Sequence, residues 1–146
     1  MRSARFDELD ARTFHDLARL RVDVFVVEQR AAYRELDGRD TEPGTAHVWA
    51  DTGGQPVAYL RLLSEADGTR RIGRVCVAVG HRGEGLAGVM VAEALRLAAA
   101  EAPRAEVVLD AQSYLAGWYE RQGFAVDGSE FVDDDGIPHV PMRLRR

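Results

Sequence analysis

The pattern of apolar and turn-forming residues predicts a mixed α/β fold, with a central, mostly antiparallel sheet of about six or seven strands and helices on both faces. Three observations lead to this prediction. The glycine pair 53–54 separates two apolar segments as in a β-hairpin. Helical spacing over residues 87–102, between two apolar strands, indicates one β-α-β crossover. The polar segment 133–136 (DDDG) joins a last pair of strands.

Length and composition limit the classes of protein to consider. The 146 residues predict one domain, 1–146, and a content of 46% hydrophobic and 29% charged residues is typical of a globular protein. The net charge of -5 argues against nucleic-acid binding, which usually needs a basic face. The single cysteine excludes an internal disulfide, and no Cys/His group has zinc-ligand spacing, so we expect no metal. With no signal-like core and no apolar run of roughly 18 residues, we expect a cytoplasmic protein without membrane contact.

The N-terminal part begins with a short predicted strand at residues 3–8, followed by a helix over residues 11–29. Asp10 is placed to cap this helix, because its carboxylate can accept from free amides of the first turn. The β-branched end of the segment is also typical of a strand. Residues 30–44 contain two turn-forming pairs and predict a loop with one helical turn. The apolar positions with helical spacing are Phe14, Leu17, Leu20, Val24 and Val27.

The middle of the chain is predicted as three strands, at residues 46–50, 57–63 and 73–79. After a glycine-rich turn, the helix 87–102 ends before a proline, and residues 106–110 form a short buried strand.

The C-terminal part is predicted as one helix and two strands. The helix begins at Gln112 or Ser113 and is closed by Gly123. The strands span residues 124–132 and 139–144.

The glycine-rich turn, residues 79–88 (VGHRGEGLAG), lies between a predicted strand and the N-terminus of a helix. This geometry suits a phosphate, because the first amides of a helix lack internal partners and carry the positive end of its dipole. Glycines let an anion approach the backbone, and the Arg82 guanidinium adds several donors. The alternative is a tight turn without a ligand.

Two nucleotide-binding patterns overlap in this turn. Gly83, Gly85 and Gly88 match GxGxxG, and Asp110 ends the next strand. A dinucleotide site is nevertheless not expected, because three residues separate the strand from the first glycine of the pattern and because the motif lies past the middle of the chain. A Walker-type loop is excluded, since the chain has no lysine. Residues 82–87 (RGEGLA) instead fit the pattern [Q/R]-x-x-G-x-[G/A].

That pattern resembles the pyrophosphate loop of the GNAT N-acetyltransferase superfamily. A second segment, residues 112–124 (QSYLAGWYERQGF), is similar to the superfamily's N-x-x-A-x-x-x-Y-x-x-x-G-F helix and matches it at Tyr119, Gly123 and Phe124. Gln112 replaces the usual asparagine. Further segments resemble the ElaA-like branch of the superfamily: residues 20–29 (LRVDVFVVEQ), Tyr33, 37–38, Asp40, 136–139 (GIPH) and Met142.

The resemblance implies the GNAT fold and transfer of an acetyl group from acetyl-CoA to a primary amine, by direct attack in a ternary complex. We expect the acceptor to be a small molecule or a peptide, no metal to take part, and the protein to be a monomer or a homodimer. The strands near residues 75–77 and 107–109 begin as parallel neighbours and then part, which opens a cleft for the pantetheine arm. The residues that the resemblance assigns to acetyl-CoA are Val75, Cys76, Val77, Arg82, Gly83, Gly85, Leu86, Ala87, Gly88 and Gln112.

The resemblance also assigns the general acid, Tyr119, whose hydroxyl would protonate the departing thiolate. From spacing alone, Tyr119 is equally a core residue beside Trp118 and Phe124. The general base has several candidates: Glu28, His47 and His139, with a water chain as the alternative.

Other interpretations remain open. Arg61 and Arg74 either form ion pairs or contact substrate or phosphate, and residues 133–135 form either a solvated turn or a field that favours a cationic amine. The chain as a whole is alternatively a CoA-binding module without catalysis or, more distantly, a nicotinamide-dependent oxidoreductase.

Overall fold

The computed structural model describes residues 1–145 and contains an eight-stranded sheet in the order β1-β2-β3-β4-β5-β8-β6, with β7 also paired to β8. All pairs are antiparallel except β4 with β5. The strands are β1 (Arg2–Arg5), β2 (Ala46–Thr52), β3 (Gln55–Ser64), β4 (Arg70–Val77), β5 (Val107–Gln112), β6 (Ala125–Val126), β7 (Phe131–Val132) and β8 (Pro138–Leu144). The α-helices are α1 (Ala11–Val22), α2 (Leu86–Glu101) and α3 (Ala116–Arg121). The predicted mixed fold is confirmed.

Two predicted elements differ in detail from the structure. The strand expected at 124–132 is two short strands, β6 and β7, because the chain between them turns around Pro141 of β8. There the Asp127 amide donates to the Pro141 carbonyl at 2.8 Å, and Gly128 leaves room for the proline ring. The helix expected from Gln112 or Ser113 does begin at Ser113, but its first three residues, Ser113–Leu115, form a 3-10 helix and α3 follows from Ala116. Gln112 still pairs with β8 as the last residue of β5.

The first helix has the predicted cap, with the Asp10 carboxylate accepting from the Thr13 amide at 2.6 Å. The helical segment continues past α1, but residues Asp23–Glu28 form a π-helix in which the Gln29 amide donates to the Val24 carbonyl. A π-helical segment is wider than an α-helix and is found frequently at functional sites. Here it carries Phe25 and Glu28 to the wall of a cleft.

Successive residues of a strand point to opposite sides of the sheet, and both sides are apolar here, so helices cover both faces. One face packs against α2 through Val48, Leu60 and Ile72. The opposite face packs against α1 through Trp49 and Tyr59. We call these the α2 face and the α1 face.

The two parallel strands part soon after they meet. Only two residue pairs, Arg70 with Val107 and Arg71 with Val108, join β4 to β5. Beyond them β4 continues to Val77 and β5 to Gln112 without further pairing. The parting of these strands, expected from the family resemblance, is confirmed.

A network of buried ions fastens the segment 30–41 to the α1 face. The Arg21 guanidinium is fully buried and donates to carboxylate oxygens of Glu35 at 2.7 Å and Asp40 at 2.8 Å. Arg61 pairs with Asp40 and, through two hydrogen bonds, with Asp37. Arg74 donates to Glu35 at 3.0 Å, so Arg61 and Arg74 both form ion pairs.

Arg21→Met is expected to lower the free energy of unfolding by about 3 kcal/mol, because two buried carboxylates each lose a charged partner. The measurement is urea-induced unfolding followed by circular dichroism. Arg96→Met is the matched control: Arg96 pairs with Glu93 on the surface, where such pairs contribute about 0.5 kcal/mol. Equal effects of the two substitutions would contradict the role of the buried network.

Candidate functional site

A cleft of about 730 Å³ opens where β4 and β5 part. Its walls are the free edge of β4, the end of β5, the glycine-rich turn before α2, and α3. Phe25, Glu28, Tyr33 and Asp37 line it from the side of the α1 face. The cleft therefore lies between the two layers of helices and is reached from both faces of the sheet.

The β4 wall contains a β-bulge at Arg74. Tyr59 of β3 pairs with Cys76, whereas Arg61 pairs with Gly73, so β4 has one residue more than β3 across this stretch. Arg74 has a φ of 54°, in the left-handed region that non-glycine residues rarely adopt. Its side chain holds this conformation through Glu35 and a contact over the Tyr33 ring at 5.4 Å. The bulge re-aims the backbone of β4 at the level where the strand has already left β5.

The glycine-rich turn has the geometry of an anion site. Gly83 and Gly85 have φ values of 83° and 79°, and a Cβ at either position would meet no atom within 4 Å. Gly85 directly precedes α2, and no side chain caps that helix. The first residues of α2 line the cleft without a capping side chain, and free amides of a helix N-terminus are donors to which an anion can bind.

Arg82, which the sequence assigns to phosphate binding, already holds an anionic side chain. Its guanidinium forms two hydrogen bonds to the Glu28 carboxylate, at 2.6 and 2.7 Å, while its Nε donates to the Val77 carbonyl at 3.0 Å. The hydrogen bonds from Arg82 lower the pKa of Glu28. Paired in this way, Glu28 is a weaker base than an ordinary glutamate.

Tyr119 has features of a core residue and of a proton donor in the cleft. Its ring packs edge-on against Trp118 at 4.9 Å and Phe124 at 6.1 Å, within the core of the α2 face. It also lines the cleft, and no hydrogen bond within residues 1–145 engages its hydroxyl. Burial raises the pKa of Tyr119 to about 12, so the hydroxyl keeps its proton at neutral pH. Gln112, at the end of β5, lines the same cleft.

His47, one of the candidate bases, is not brought to the cleft. It is fully buried beneath α1, with Nδ1 bonded to the Tyr59 hydroxyl at 2.6 Å and Nε2 to the Asp40 carbonyl at 3.0 Å. Burial lowers the pKa of His47, which favours a neutral, structural ring. His139, in contrast, lines the cleft at the start of β8.

Cys76 lies in the cleft wall, but its side chain packs in the core of the α1 face with 4% exposure. Burial raises the pKa of its thiol to about 12. Only the backbone of Cys76 is therefore suited to contact a ligand. A ligand that pairs with β4 as an added strand would use that backbone.

Several cleft residues were missed in the sequence. Phe25 reaches the cleft through the π-helical segment, and Arg71 bridges the point of parting by an ion pair with Asp110 at 3.3 Å. Tyr114 is 77% exposed beside the end of β5. The one available signal was the position of Tyr114 two residues after Gln112, inside the recognised motif. Across the described part of the chain, no helix could span a membrane, and no group of three or more His, Cys, Asp or Glu residues is arranged to hold a metal ion.

Comparison with known proteins gives consistent matches. A family model described as an acetyltransferase (GNAT) domain matches residues 13–146. The UPF0039 protein Rv2851c of Mycobacterium tuberculosis is 46% identical over 139 residues, which are 92% of this chain and 86% of that protein.

Two solved structures resemble this one over nearly their full length. The crystal structure of an acyl-CoA N-acyltransferase from Pseudomonas aeruginosa has a TM-score of 0.92 at 36% identity, covering 98% of this chain and 97% of the other. That of Escherichia coli ElaA has a TM-score of 0.93 at 30% identity, covering 99% and 97%. The chain is thus similar to these proteins in sequence, length and architecture.

Proposed function

The chain belongs to the GNAT acetyltransferase family, and from this premise we propose that it transfers an acetyl group from acetyl-CoA to a primary amine, by direct attack within a ternary complex. The observation that carries the proposal is the parting of β4 from β5 beside an uncapped helix N-terminus. An open strand edge suits an amide-containing arm, and free helix amides suit a phosphate. The dinucleotide alternative rested on the GxGxxG match and on Asp110 as a ribose-binding acid, but Asp110 forms an ion pair with Arg71.

The residues along the cleft fit the parts of coenzyme A in order. The backbone of Val75–Val77 would pair with the pantetheine arm as an added strand does. The amides near Gly83 and Gly85 would donate hydrogen bonds to the pyrophosphate oxygens, since both positions open onto empty space. Arg82 would add a bidentate guanidinium once it is released from Glu28.

The reaction needs one group to stabilise the developing oxyanion and another to protonate the leaving thiolate, and the β4 and α3 walls of the cleft offer one each. As the amine nitrogen attacks the thioester carbonyl, a C–N bond forms, the C–S bond breaks, and negative charge develops first on oxygen and then on sulfur. A backbone amide at the Arg74 bulge is suited to the charge on oxygen. Tyr119 would give its proton to sulfur. The pKa of a thiol is about 8.5 in water, and the burial that raises the pKa of Tyr119 also raises that of a thiol released beside it.

The experiment that tests the function has two steps. Acetyl-CoA at 100 times its dissociation constant should stabilise the protein by about 2.7 kcal/mol in a thermal unfolding assay, whereas NAD should not. Release of free thiol from acetyl-CoA is then measured with a panel of amines. Binding without amine-dependent thiol release would support a CoA-binding module and contradict the enzyme.

Gly85→Ala should weaken acetyl-CoA binding about tenfold, because a methyl group enters the space that the pyrophosphate would occupy. Binding is measured by isothermal titration calorimetry. Gly68→Ala is the matched control, since Gly68 also has a positive φ, of 90°, and also opens onto empty space, but lies in a turn away from the cleft. Both variants carry a similar backbone strain of about 1 kcal/mol. Equal acetyl-CoA affinity of the two would refute the phosphate assignment.

Glu28→Gln should tighten acetyl-CoA binding about two- to fivefold, because the pyrophosphate no longer competes with a carboxylate for Arg82. Glu84→Gln is the control for net charge: Glu84 lies in the same turn but pairs with His81. The same calorimetric titration measures both. An identical gain from both substitutions would indicate a general charge effect, and no gain from Glu28→Gln would contradict the competition.

Tyr119→Phe should lower turnover by about 10²-fold while leaving stability and acetyl-CoA affinity unchanged, since it keeps the ring and removes only the proton donor. Single-turnover rates are the measurement, because slow product release would otherwise hide the effect. Tyr114→Phe, in an exposed tyrosine of the same cleft, should be neutral. A folded Tyr119→Phe protein with the parent's single-turnover rate would show that the tyrosine is a packing residue only.

A further inference from the structure

We infer that His139 is the general base, which removes a proton from the ammonium form of the acceptor through Nε2; this inference rests on the proposed acetyl transfer. Of the three residues that the sequence offered for this role, His47 is buried away from the cleft and Glu28 is held by Arg82. His139 alone combines a place in the cleft wall with a free basic nitrogen.

The tautomer of His139 follows from its one close hydrogen bond. Nδ1 lies 2.7 Å from the Ile137 carbonyl oxygen, which can only accept, so Nδ1 carries the hydrogen of the neutral ring. Nε2 therefore keeps its lone pair. Within the described chain no group lies at hydrogen-bond distance from Nε2, and the nearest carboxylate oxygen, Oδ2 of Asp135, is 3.7 Å away. This is the arrangement of a base whose other nitrogen is oriented by a fixed acceptor.

Two neighbouring residues fix the His139 imidazole and place a carboxylate near its Nε2 atom. Phe131 stacks on the imidazole at 5.8 Å with an angle of 23° between the planes. Asp135 is itself fixed, because its Oδ1 accepts from the Ile137 amide at 2.9 Å. A proton taken up at Nε2 would thus form an ion pair with a carboxylate that is already in place.

Strand register places His139 at the level of the reacting groups. It pairs directly with Gln112 of β5, so the two side chains share one face of the sheet. Leu109 and Ala111 belong to the α2-face core, and strand alternation therefore directs Gln112 and His139 toward the α1 face.

The same register gives the position along the cleft. Gln112 lies four residues beyond Val108, and Val75 lies four residues beyond Arg71, the last paired residues of β5 and β4. At about 3.3 Å per residue, Gln112 is about 13 Å past the point of parting, and Val75, whose strand loses one step at the Arg74 bulge, is about 10 Å past it. His139 therefore lies one strand beyond β5, in the cleft wall, at about the level where the pantetheine arm and thioester are proposed to bind.

The proton balance of the transfer is complete with these groups. An alkylammonium acceptor must lose two protons to become an amide. The first passes to Nε2 of His139, which frees the nitrogen lone pair for attack, and then leaves to solvent. The second leaves the nitrogen for water of the cleft after the C–N bond has formed. Tyr119 protonates the sulfur and is itself reprotonated from that water.

The test compares two kinds of acceptor amine with acetyl-CoA. Benzylamine is protonated at pH 7 and needs a base, whereas aniline is neutral and does not. His139→Asn keeps a donor for the Ile137 carbonyl and removes the basic nitrogen. We expect a loss of about 10²-fold in kcat/KM with benzylamine and less than about threefold with aniline, at unchanged acetyl-CoA affinity. His15→Asn, the same change at an exposed histidine of α1 outside the cleft, should leave both rates within about twofold.

The outcomes separate the inference from the function on which it rests. An equal loss with both amines would make His139 a structural residue, and no loss would make water the base; either result overturns the inference and leaves acetyl transfer intact. A parent protein that acetylates no amine in the panel would refute the proposed function instead. The tautomer is checked without activity, by nitrogen-15 NMR of histidine-labelled protein. A hydrogen on Nε2 in the neutral ring would overturn the inference whatever the rates.

Discussion

The parting of two parallel strands after only two residue pairs is the constraint on which the rest of this structure depends. A backbone edge inside a sheet leaves hydrogen-bonding groups without a strand partner, and such groups favour any extended ligand that can pair with them. The opposite edge of β5 is paired with β8 along its whole length, so that wall stays rigid. Because α2 follows β4 and α3 follows β5, the parting also decides where the glycine turn and Tyr119 lie.

On the α1 face, a network of buried ion pairs holds the irregular segment 30–41 against the sheet. Residues 30–41 contain little regular structure, yet Glu35 and Asp40 are almost completely buried. Arginines from α1 and two strands meet these carboxylates. Buried ion pairs add little net stability compared with apolar packing, but unpaired buried charges are costly. The network therefore selects one position of the segment, and that position places Tyr33 and Asp37 in the wall of the cleft.

The sequence predicted those features that depend on interactions between residues close together in the chain. The helix after the glycine turn, its junction with the strand, and the cap at Asp10 each depend on neighbours within a few residues. The parting of β4 from β5 came from the family resemblance, since strand register is set by residues far apart in the chain. His47 could not be excluded from the sequence, because its burial depends on α1 covering that face. The two short strands near the C-terminus were merged into one, because the contact between Gly128 and Pro141 leaves no mark in either local segment.

The packing of Cys76 has a consequence for how such a protein would tolerate oxidants. An acetyltransferase of the proposed kind releases a free thiol into the cleft whose wall contains the chain's only cysteine. Disulfide exchange requires a thiolate. With its sulfur turned into the core of the α1 face and its pKa near 12, Cys76 supplies none at cellular pH. Attack by Cys76 on a disulfide, such as the oxidised form of the released thiol, is therefore disfavoured, and under the proposed function the cleft wall would stay free of mixed disulfides even where such an oxidised product is present.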